Sequence, residues 1–442
     1  MRSYPVLGLL PQFSRDPVNT LVRLAQEQGG VAVLPLGRRR LYIITSPTGV
    51  QHVLKDNAAN YVKGRTMDVP RPLLGENLVS AEGETWHRLR RLVQPAFSRR
   101  RLLNMVDTIT ATVEEFYPRW DALAEARRPV DIVPLMMEIT LAVIARLMFT
   151  VDVLEEEERL LAAFDTALHA LNRIAWSPWP RLSSLYIRAL PSFRRAKATL
   201  DDVVYRIIRE RRRHAPERND LLSMLMNAED PETGTRLSDE ELRNQALTVF
   251  LAGHETTALA LSWTWYLLAK HPEVDRRFRK EVQAVLGHRT LQKEDVERLP
   301  YTRMVIDEVL RLYPSVWVTA RDTADEDVVD GVTIPPGARV VISPYVTHRY
   351  PDLWPAPEAF DPERFRDGVP KHLPPFAYYP FSGGPRKCLG YFLAPLEMTI
   401  VMALLARRYR LTLVPGYPVR PRPVLTLRPA PGVYMWVERH AA

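Results

Sequence analysis

The chain is 442 residues long, 46% apolar and 25% charged, which excludes a disordered polymer and supplies material for a sizeable core. Its one cysteine excludes an intrachain disulfide, a Cys-x-x-Cys redox pair and a cysteine-rich zinc site, and makes the cytoplasm the default compartment. The net charge of +8 admits nucleic acid, an anionic surface or an acidic protein as partner classes.

At the N-terminus, MRSYPVLGLLPQFSRDP carries an apolar run broken by Pro5, Pro11 and Pro17. It is too short to span a bilayer and lacks a small-residue cleavage site, so neither an anchor nor a signal peptide is expected. Residues 31–46, VAVLPLGRRRLYIITS, alternate apolar and polar around a glycine turn and predict a hairpin. WHRLRR, residues 86–91, places Trp86 and Arg90 four apart on one helix face, as ordinary amphipathic packing would. Arginine is clumped here and again at 38–40 and 99–101, and a solvated helix face accounts for any one clump.

The longest predicted helix covers residues 239–271. Ser238 and Glu241 stand in capping-box spacing, Pro272 closes the segment, and it runs roughly 50 Å. Its centre is apolar almost all round, which means burial, while Asn244, Gln245, His254 and Glu255 argue against a membrane span. Beyond it, DEVLRLYP sets Glu308 and Arg311 on one helix face. DPERF, residues 361–365, offers Arg364 from a proline-rich loop, and short strands are predicted within 327–343 and 423–439. No repeat or low-complexity linker divides the chain. The reading is one domain over residues 1–442, mainly α with small β-sheets (α+β), the strands gathering near 30–50, 325–345 and the C-terminal region.

Two stretches go against local propensity. In AGHETT, residues 252–257, Gly253 costs about 1 kcal/mol relative to alanine, and a buried Glu255 costs more unless something answers it. Either a neighbouring helix approaches closely there, or the helix opens beside a ligand. In PFSGGPRKCLGYF, residues 380–392, the one cysteine, Cys388, stands between glycines and follows two cations, Arg386 and Lys387.

That second stretch fits F-x-x-G-x-R-x-C-x-G through Phe381, Gly384, Arg386, Cys388 and Gly390, and it resembles the heme-thiolate loop of the cytochrome P450 family. In chain order the sequence also supplies W-x-x-x-R (Trp86, Arg90), A-G-x-E-T (252–256), E-x-x-R (Glu308, Arg311) and P-E-R-F (362–365). Over nearly its whole length it is similar to soluble, bacterial-type members of that family. The resemblance implies a large helical lobe plus a smaller β-rich lobe, holding heme b (iron protoporphyrin IX). Cys388 is then the proximal thiolate on the heme iron, whose electron donation favours cleavage of the O–O bond. Phe381 covers the sulfur, and Gly384 and Gly390 let backbone approach the macrocycle without a Cβ.

By the same resemblance Trp86, Arg90, Arg321 and Arg386 meet the heme propionates. Ala252 and Gly253 border the distal face, and Thr256 with Glu255 is the catalytic pair that guides protons to bound dioxygen. Glu308, Arg311 and Arg364 form a buried charge cluster. The acidic residue usual after the arginine of THRYP is replaced by Tyr350, and His348 in that stretch receives no role.

The implied activity is monooxygenation: one oxygen atom from O2 enters a C–H bond (or C=C) of a lipophilic small molecule such as a fatty acid, terpenoid, steroid or polyketide. Electrons come from a separate acidic ferredoxin or flavodoxin-type donor, steered by Arg88, Arg91, Arg99, Arg100, Arg101 and Lys387. Pocket candidates are Thr248, Phe250, Trp317 and Val318, with lid material at 168–179 that includes Trp176 and Trp179. Neither a nucleic-acid partner nor a stable membrane span is expected. A peroxide-driven peroxygenase and a non-catalytic heme-binding protein are the alternatives, and the intact Glu255–Thr256 pair favours dioxygen.

Overall fold

Helix Asp239–Lys270 is the axis on which the fold is assembled. Its start is fixed locally: Ser238 Oγ accepts from the Glu241 N–H at 3.2 Å, and a Glu241 carboxylate oxygen accepts from the Ser238 N–H at 2.8 Å, so two orphan donors are satisfied at once. Asp239, Glu240 and Glu241 in its first turn and Lys270 in its last complement the helix dipole. His271 ends it, immediately before Pro272, because a residue preceding proline disfavours the helical conformation. The structure is a computed structural model that describes residues 9–36, 39–64, 70–149, 154–174, 180–214 and 220–440.

Around this axis pack helices Ile132–Phe149, Pro191–His214, Pro300–Leu312 and Leu393–Arg408. The fully buried Trp263, Trp265, Phe250 and Phe278 lie in the shared core, and each large apolar side chain removed from water contributes roughly 1.5–3 kcal/mol. The Trp263 ring stacks on Tyr313 with centroids 4.0 Å apart. Ile132–Phe149 and Leu389–Arg408 are long and apolar enough to cross a membrane, and 72% of each is buried inside the protein.

The strands form a smaller lobe. A five-stranded sheet runs in the order 31–36, 39–44, 339–342, 319–323, 61–62. The predicted hairpin opens it, pairing Val31 with Ile44 and Leu34 with Leu41. Its second strand pairs in parallel with Arg339–Ile342, aligning Ile43 with Val341. Asp327–Val329 and Val332–Ile334 form a two-stranded ribbon. Asp330 and Gly331 at its turn both have positive φ, 48° and 79°, the conformation a tight two-residue turn requires. Near the C-terminus Arg420–Pro423 pairs with Leu427–Ala430. Tyr434–Arg439 joins Tyr409–Leu413 and Val130–Asp131 in a third sheet. The mainly α architecture with a small β lobe is the one expected, and the strands at 61–62 and 319–323 add to it.

Candidate functional site

The i,i+3 spacing of Glu308 and Arg311 on helix Pro300–Leu312 brings them together in full burial. Arg311 Nε donates to Glu308 Oε2 at 2.7 Å and Nη2 to Oε1 at 2.8 Å. Its other donors reach the carbonyls of His348 (2.9 Å), Pro357 (2.7 Å) and Ala359 (3.0 Å). All five guanidinium N–H groups are therefore used, which is how a buried arginine is tolerated. Glu308 Oε1 also accepts from the Asp361 N–H at 2.9 Å and faces Arg364 Nε at 3.5 Å. The cluster thus ties helix 300–312 to the irregular chain that leads toward Cys388.

His348, which sequence reasoning left without a role, extends this framework. It is fully buried, and its Nε2 accepts from the Tyr379 N–H at 2.9 Å. Burial holds the imidazole well below its ordinary range, so it stays neutral and can accept. Tyr378 donates its hydroxyl to the Asp307 carbonyl at 3.0 Å.

The cysteine loop follows directly. The Cys388 N–H donates to the Phe381 carbonyl at 3.0 Å and the Lys387 N–H to Gly384 at 3.1 Å, closing the loop on itself. Gly384 has φ +64°, and a Cβ there would stand 1.8 Å from the Leu54 carbonyl oxygen. Close contact with the backbone of Leu54 and Lys55 therefore already requires glycine there. At Gly390 a Cβ would sit 3.7 Å from Cys388 Sγ, an ordinary contact, so what that residue supplies is its N–H, bonded to the sulfur. Cys388 lies deep among protein atoms yet is accessible, as a side chain lining an internal cleft is. Burial pushes its thiol up, while the Gly390 N–H and the Arg90 and Lys387 charges pull it down.

Beside the loop, cations gather against the Glu82 carboxylate. Trp86 is buried on helix Gly83–Val93, with the Arg386 guanidinium 4.3 Å from its ring. Arg386 donates to the Ala81 carbonyl at 2.8 Å and pairs with Glu82. Arg321 is buried, held by Thr319 Oγ1 at 2.9 Å and the Ala320 carbonyl at 2.8 Å. Lys63 joins them, its backbone N–H donating to Glu82 at 2.6 Å. Burial, then the Arg386 charge, holds Arg321 down to about 10. Burial, then Arg321 and Arg386, holds Lys63 well below the usual lysine range. Among the described residues, three mutually repelling cations face the Glu82 carboxylate and form a site for a further anion. Lys63 was missed, because nothing in NYVKG marks it. Arg90 is placed differently: Nε donates to Gln94 at 2.8 Å and Nη1 to the Lys387 carbonyl at 2.9 Å, tying its helix to the cysteine loop.

In the otherwise buried centre of helix 239–270, Ala252 is exposed and Val249, Gly253 and Thr256 are half-open. These are positions i, i+3, i+4 and i+7 of one face. Thr256 Oγ1 donates to the Ala252 carbonyl at 2.6 Å, and Ser315 Oγ donates to the Thr256 carbonyl at 2.6 Å. At Gly253 a Cβ would meet Ile144 at 3.0 Å, so both readings of AGHETT hold, close packing at Gly253 and an open face at Ala252 and Thr256. Glu255 departs from expectation. Its Oε1 accepts from Thr426 Oγ1 at 2.7 Å and from Arg428 Nε and Nη2 at 2.8 and 2.5 Å, which turns the carboxylate toward the C-terminal hairpin, with no bond to Thr256.

The sequence model of the family described as Cytochrome P450 matches residues 1–435. The chain is a cytochrome P450. It is 35% identical over 429 residues to a cyclooctatin synthase of Streptomyces melanosporofaciens, covering 97% of this chain and 92% of that one. It is 37% identical over 421 residues to the cyclooctat-9-en-7-ol 5-monooxygenase of the same organism, covering 94% and 89%. Among solved structures, a cytochrome P450DA heme domain superposes with a TM-score of 0.87 at 27% identity, covering 100% of this chain and 96% of that one. As a cytochrome P450 monooxygenase the protein binds heme b. The residues fit such a group: its two propionates would answer the Lys63, Arg321 and Arg386 charges, and Cys388 would offer its accessible sulfur to the iron.

The four residues expected to line a substrate pocket are buried or half-buried. Trp317 is fully buried with Nε1 donating to the Val424 carbonyl at 3.0 Å. Phe250 is buried edge-on to Phe164, centroids 4.9 Å apart. Thr248 is buried and donates to the Asn244 carbonyl at 2.7 Å. All three are buried, the two rings by packing in the core and Thr248 with its hydroxyl satisfied within its own helix. Val318 is half-buried against the cluster beneath the five-stranded sheet. Trp176 and Trp179 lie outside the described residues. Val79, Val316 and Leu425 are among the exposed apolar side chains. Val316 follows Ser315, which bonds Thr256, and Leu425 precedes Thr426, which bonds Glu255.

The arginine clumps also separate. Arg88 pairs with Glu241 at 2.6 Å, Arg91 with Asp230 at 2.8 Å, and Arg99 with Glu297. Arg88 and Arg91 fasten helix 83–93 to the segment before the long helix. Arg100 is exposed and Arg101 half-exposed, neither with an ion pair among the described residues, and Lys387 lies over the Tyr391 ring at 4.0 Å. The exposed cationic patch beside the cysteine loop is thus narrower than the sequence suggested.

Proposed function

We propose that this P450 hydroxylates a terpenoid, taking one oxygen atom from O2 with two electrons and two protons and releasing the other as water. The observation that carries the reading is the open stripe Val249, Ala252, Gly253 and Thr256, with the exposed Val316 and Leu425 on segments bonded to it. An apolar wall beside one hydroxyl suits a substrate recognised by shape and oxidised at carbon. The relative named for a cyclooctat-9-en-7-ol 5-monooxygenase supports a terpenoid among the lipophilic classes.

In this reading Cys388 is the thiolate ligand, moderated by the Gly390 N–H and shielded by Phe381. Lys63, Arg321 and Arg386, with Trp86, receive the propionates. Arg90 and the Glu308–Arg311–Arg364 cluster hold the cysteine loop in place. Heme, when bound, supplies the dioxygen chemistry that thiolate donation promotes. Thr256 holds a hydroxyl proton beside that site and Glu255 relays protons toward it. Residues 1–442 act as one domain in the cytoplasm, and an acidic ferredoxin or flavodoxin docks at Arg100, Arg101 and Lys387.

The test is a panel of cyclic terpene alcohols and fatty acids screened for spin-state shifts, followed by turnover under isotopically labelled O2. Label from O2 in a hydroxylated terpene supports the reading. Turnover confined to fatty acids removes the terpenoid assignment.

A further inference from the structure

We propose that the cavity where helices Arg71–Leu74, Pro180–Ala189 and Pro191–His214 meet is a binding site for a phosphoryl anion, a phosphate ester or a diphosphate. The site stands whether or not the substrate is a terpenoid.

The cavity has a volume of about 330 Å³ and is lined by Arg71, Pro72, Arg188, Phe193, Arg194 and Lys197. Four of these six are cations, and among the described residues no acid lines it. On the same helix as Arg194, Arg211 pairs with Asp220 and Arg212 with Asp239. Arg188 and Arg194, by contrast, are exposed and make no ion pair among the described residues. Lys197 pairs with Asp201, but that carboxylate also accepts from Nε of the buried Arg243 at 2.7 Å, so two cations share one negative charge. Like charges held together repel, and an anion between them relieves the cost.

The walls that carry these cations are fixed before any ligand arrives. Leu190 alone separates the two longer helices, and its carbonyl accepts from the Arg194 N–H at 3.0 Å. Ile187 and Phe193, both fully buried, pin the two sides of that corner. Arg194 and Lys197 are three apart and share one helix face. Helix 71–74, which packs against both helix 180–189 and the long helix, ends at Gly75, with φ +62°, where a Cβ would stand 2.5 Å from the Asn244 side chain. Asn244 Nδ2 donates to the Glu76 carbonyl at 3.1 Å, which seats that wall on the long helix. Cations set on rigid walls lose less freedom on binding than cations on loose chain.

Charge decides the ligand class. A carboxylate brings one negative charge, a phosphate monoester about 1.5–2, and a diphosphate more, with oxygens directed to several sides. The guanidinium forks of Arg71, Arg188 and Arg194 match phosphate oxygens in pairs, and Lys197 adds a point charge. Asn244 precedes Ala252 by eight residues on the long helix, roughly 12 Å. The phosphoryl group is therefore either free or the head of a lipophilic molecule whose body reaches the open face, and both present the same oxygens to the same cations.

The experiment is a calorimetric titration with inorganic diphosphate in phosphate-free buffer. Heme-loaded protein is used, so that the Lys63, Arg321 and Arg386 charges are already answered. Wild type is compared with a cavity pair, Arg188→Gln with Arg194→Gln, and with a control pair, Arg128→Gln with Arg410→Gln, which removes the same charge at exposed positions elsewhere. All four side chains are exposed, so both variants keep the fold. Wild type is expected to bind diphosphate saturably, the cavity pair to weaken it at least about tenfold, and the control pair to leave it unchanged. No saturable binding by wild type, or equal weakening in both pairs, would overturn the site. Farnesol and farnesyl phosphate, followed by their spin-state shifts, then assign the source. A tighter shift with farnesyl phosphate, its advantage lost in the cavity pair, identifies the head of a lipophilic ligand. Diphosphate that binds without altering either titration identifies a free anion, and either result keeps the site.

Discussion

Replacing Arg311 with lysine keeps the charge and removes the fork, and the structure sets the cost. The guanidinium offers five N–H groups, and Glu308, His348, Pro357 and Ala359 supply five acceptors between 2.7 and 3.0 Å. An ammonium has three donors, so at least two buried acceptors lose their partner. At about 1.5–3 kcal/mol for each hydrogen bond to a charged group, Arg311→Lys costs about 3–6 kcal/mol. That is a large share of the ~5–15 kcal/mol that stabilises a typical fold. Glu308→Ala strands the arginine charge in the interior and costs about 3–5 kcal/mol. The assay is urea unfolding of each purified variant by circular dichroism, with heme content from the Soret-to-protein absorbance ratio. Both variants are expected to lose stability and to carry little heme, because the chain they fix leads into the Cys388 loop. An Arg311→Lys protein within ~1 kcal/mol of wild type and fully loaded with heme would refute the five-bond account.

Gly384→Ala and Gly390→Ala should behave oppositely. The first drives a Cβ into the Leu54 carbonyl at positive φ and the second makes an ordinary contact with the sulfur, so heme content should collapse in the first and persist in the second. Lys63 gives a pH signature in heme-free protein. Its folded pKa lies below the ordinary lysine value of about 10.4, so the unfolded chain binds more protons and stability rises with pH toward that value. The urea midpoint of heme-free wild type should therefore climb as the pH rises toward the ordinary lysine value of about 10.4. Lys63→Met should flatten the climb while weakening heme retention, and an unchanged slope would contradict the cation cluster. Arg100→Glu with Arg101→Glu should slow reduction by an acidic ferredoxin and lessen its dependence on ionic strength. Arg88→Ala, which breaks an internal pair with Glu241, should lower stability with little effect on that rate. Thr256→Ala should divert electrons from product to peroxide, measured as product per electron consumed.

What was legible in the sequence was what neighbours in the chain decide. The capping box at Ser238, the stop at Pro272, the 31–46 hairpin and the Glu308–Arg311 spacing depend on separations of a few residues, and each formed as read. The cysteine loop was legible because its glycines and cations sit within ten residues of Cys388. What escaped depends on chain segments that meet only after folding. Lys63 acquires meaning from Arg321 and Arg386, brought to it by the sheet and the cysteine loop. Arg428 acquires it from Glu255, 173 positions away. The burial of two pocket candidates has a related reason. Trp317 and Phe250 are large and apolar, the property that draws a side chain into the core, while smaller side chains such as Val316 and Leu425 stand exposed. Arg88 and Arg91 were read by sign alone, and Glu241 and Asp230 answer them.

The account depends most on a sulfur–iron bond at Cys388, and the absorption spectrum of the reduced, carbon-monoxide-bound protein reports that bond directly. Wild type should show the strongly red-shifted Soret band of a thiolate-ligated heme, and Cys388→Ala should lose it. A wild-type band at the position of nitrogen-ligated heme, or a red-shifted band that survives Cys388→Ala, would contradict the assignment.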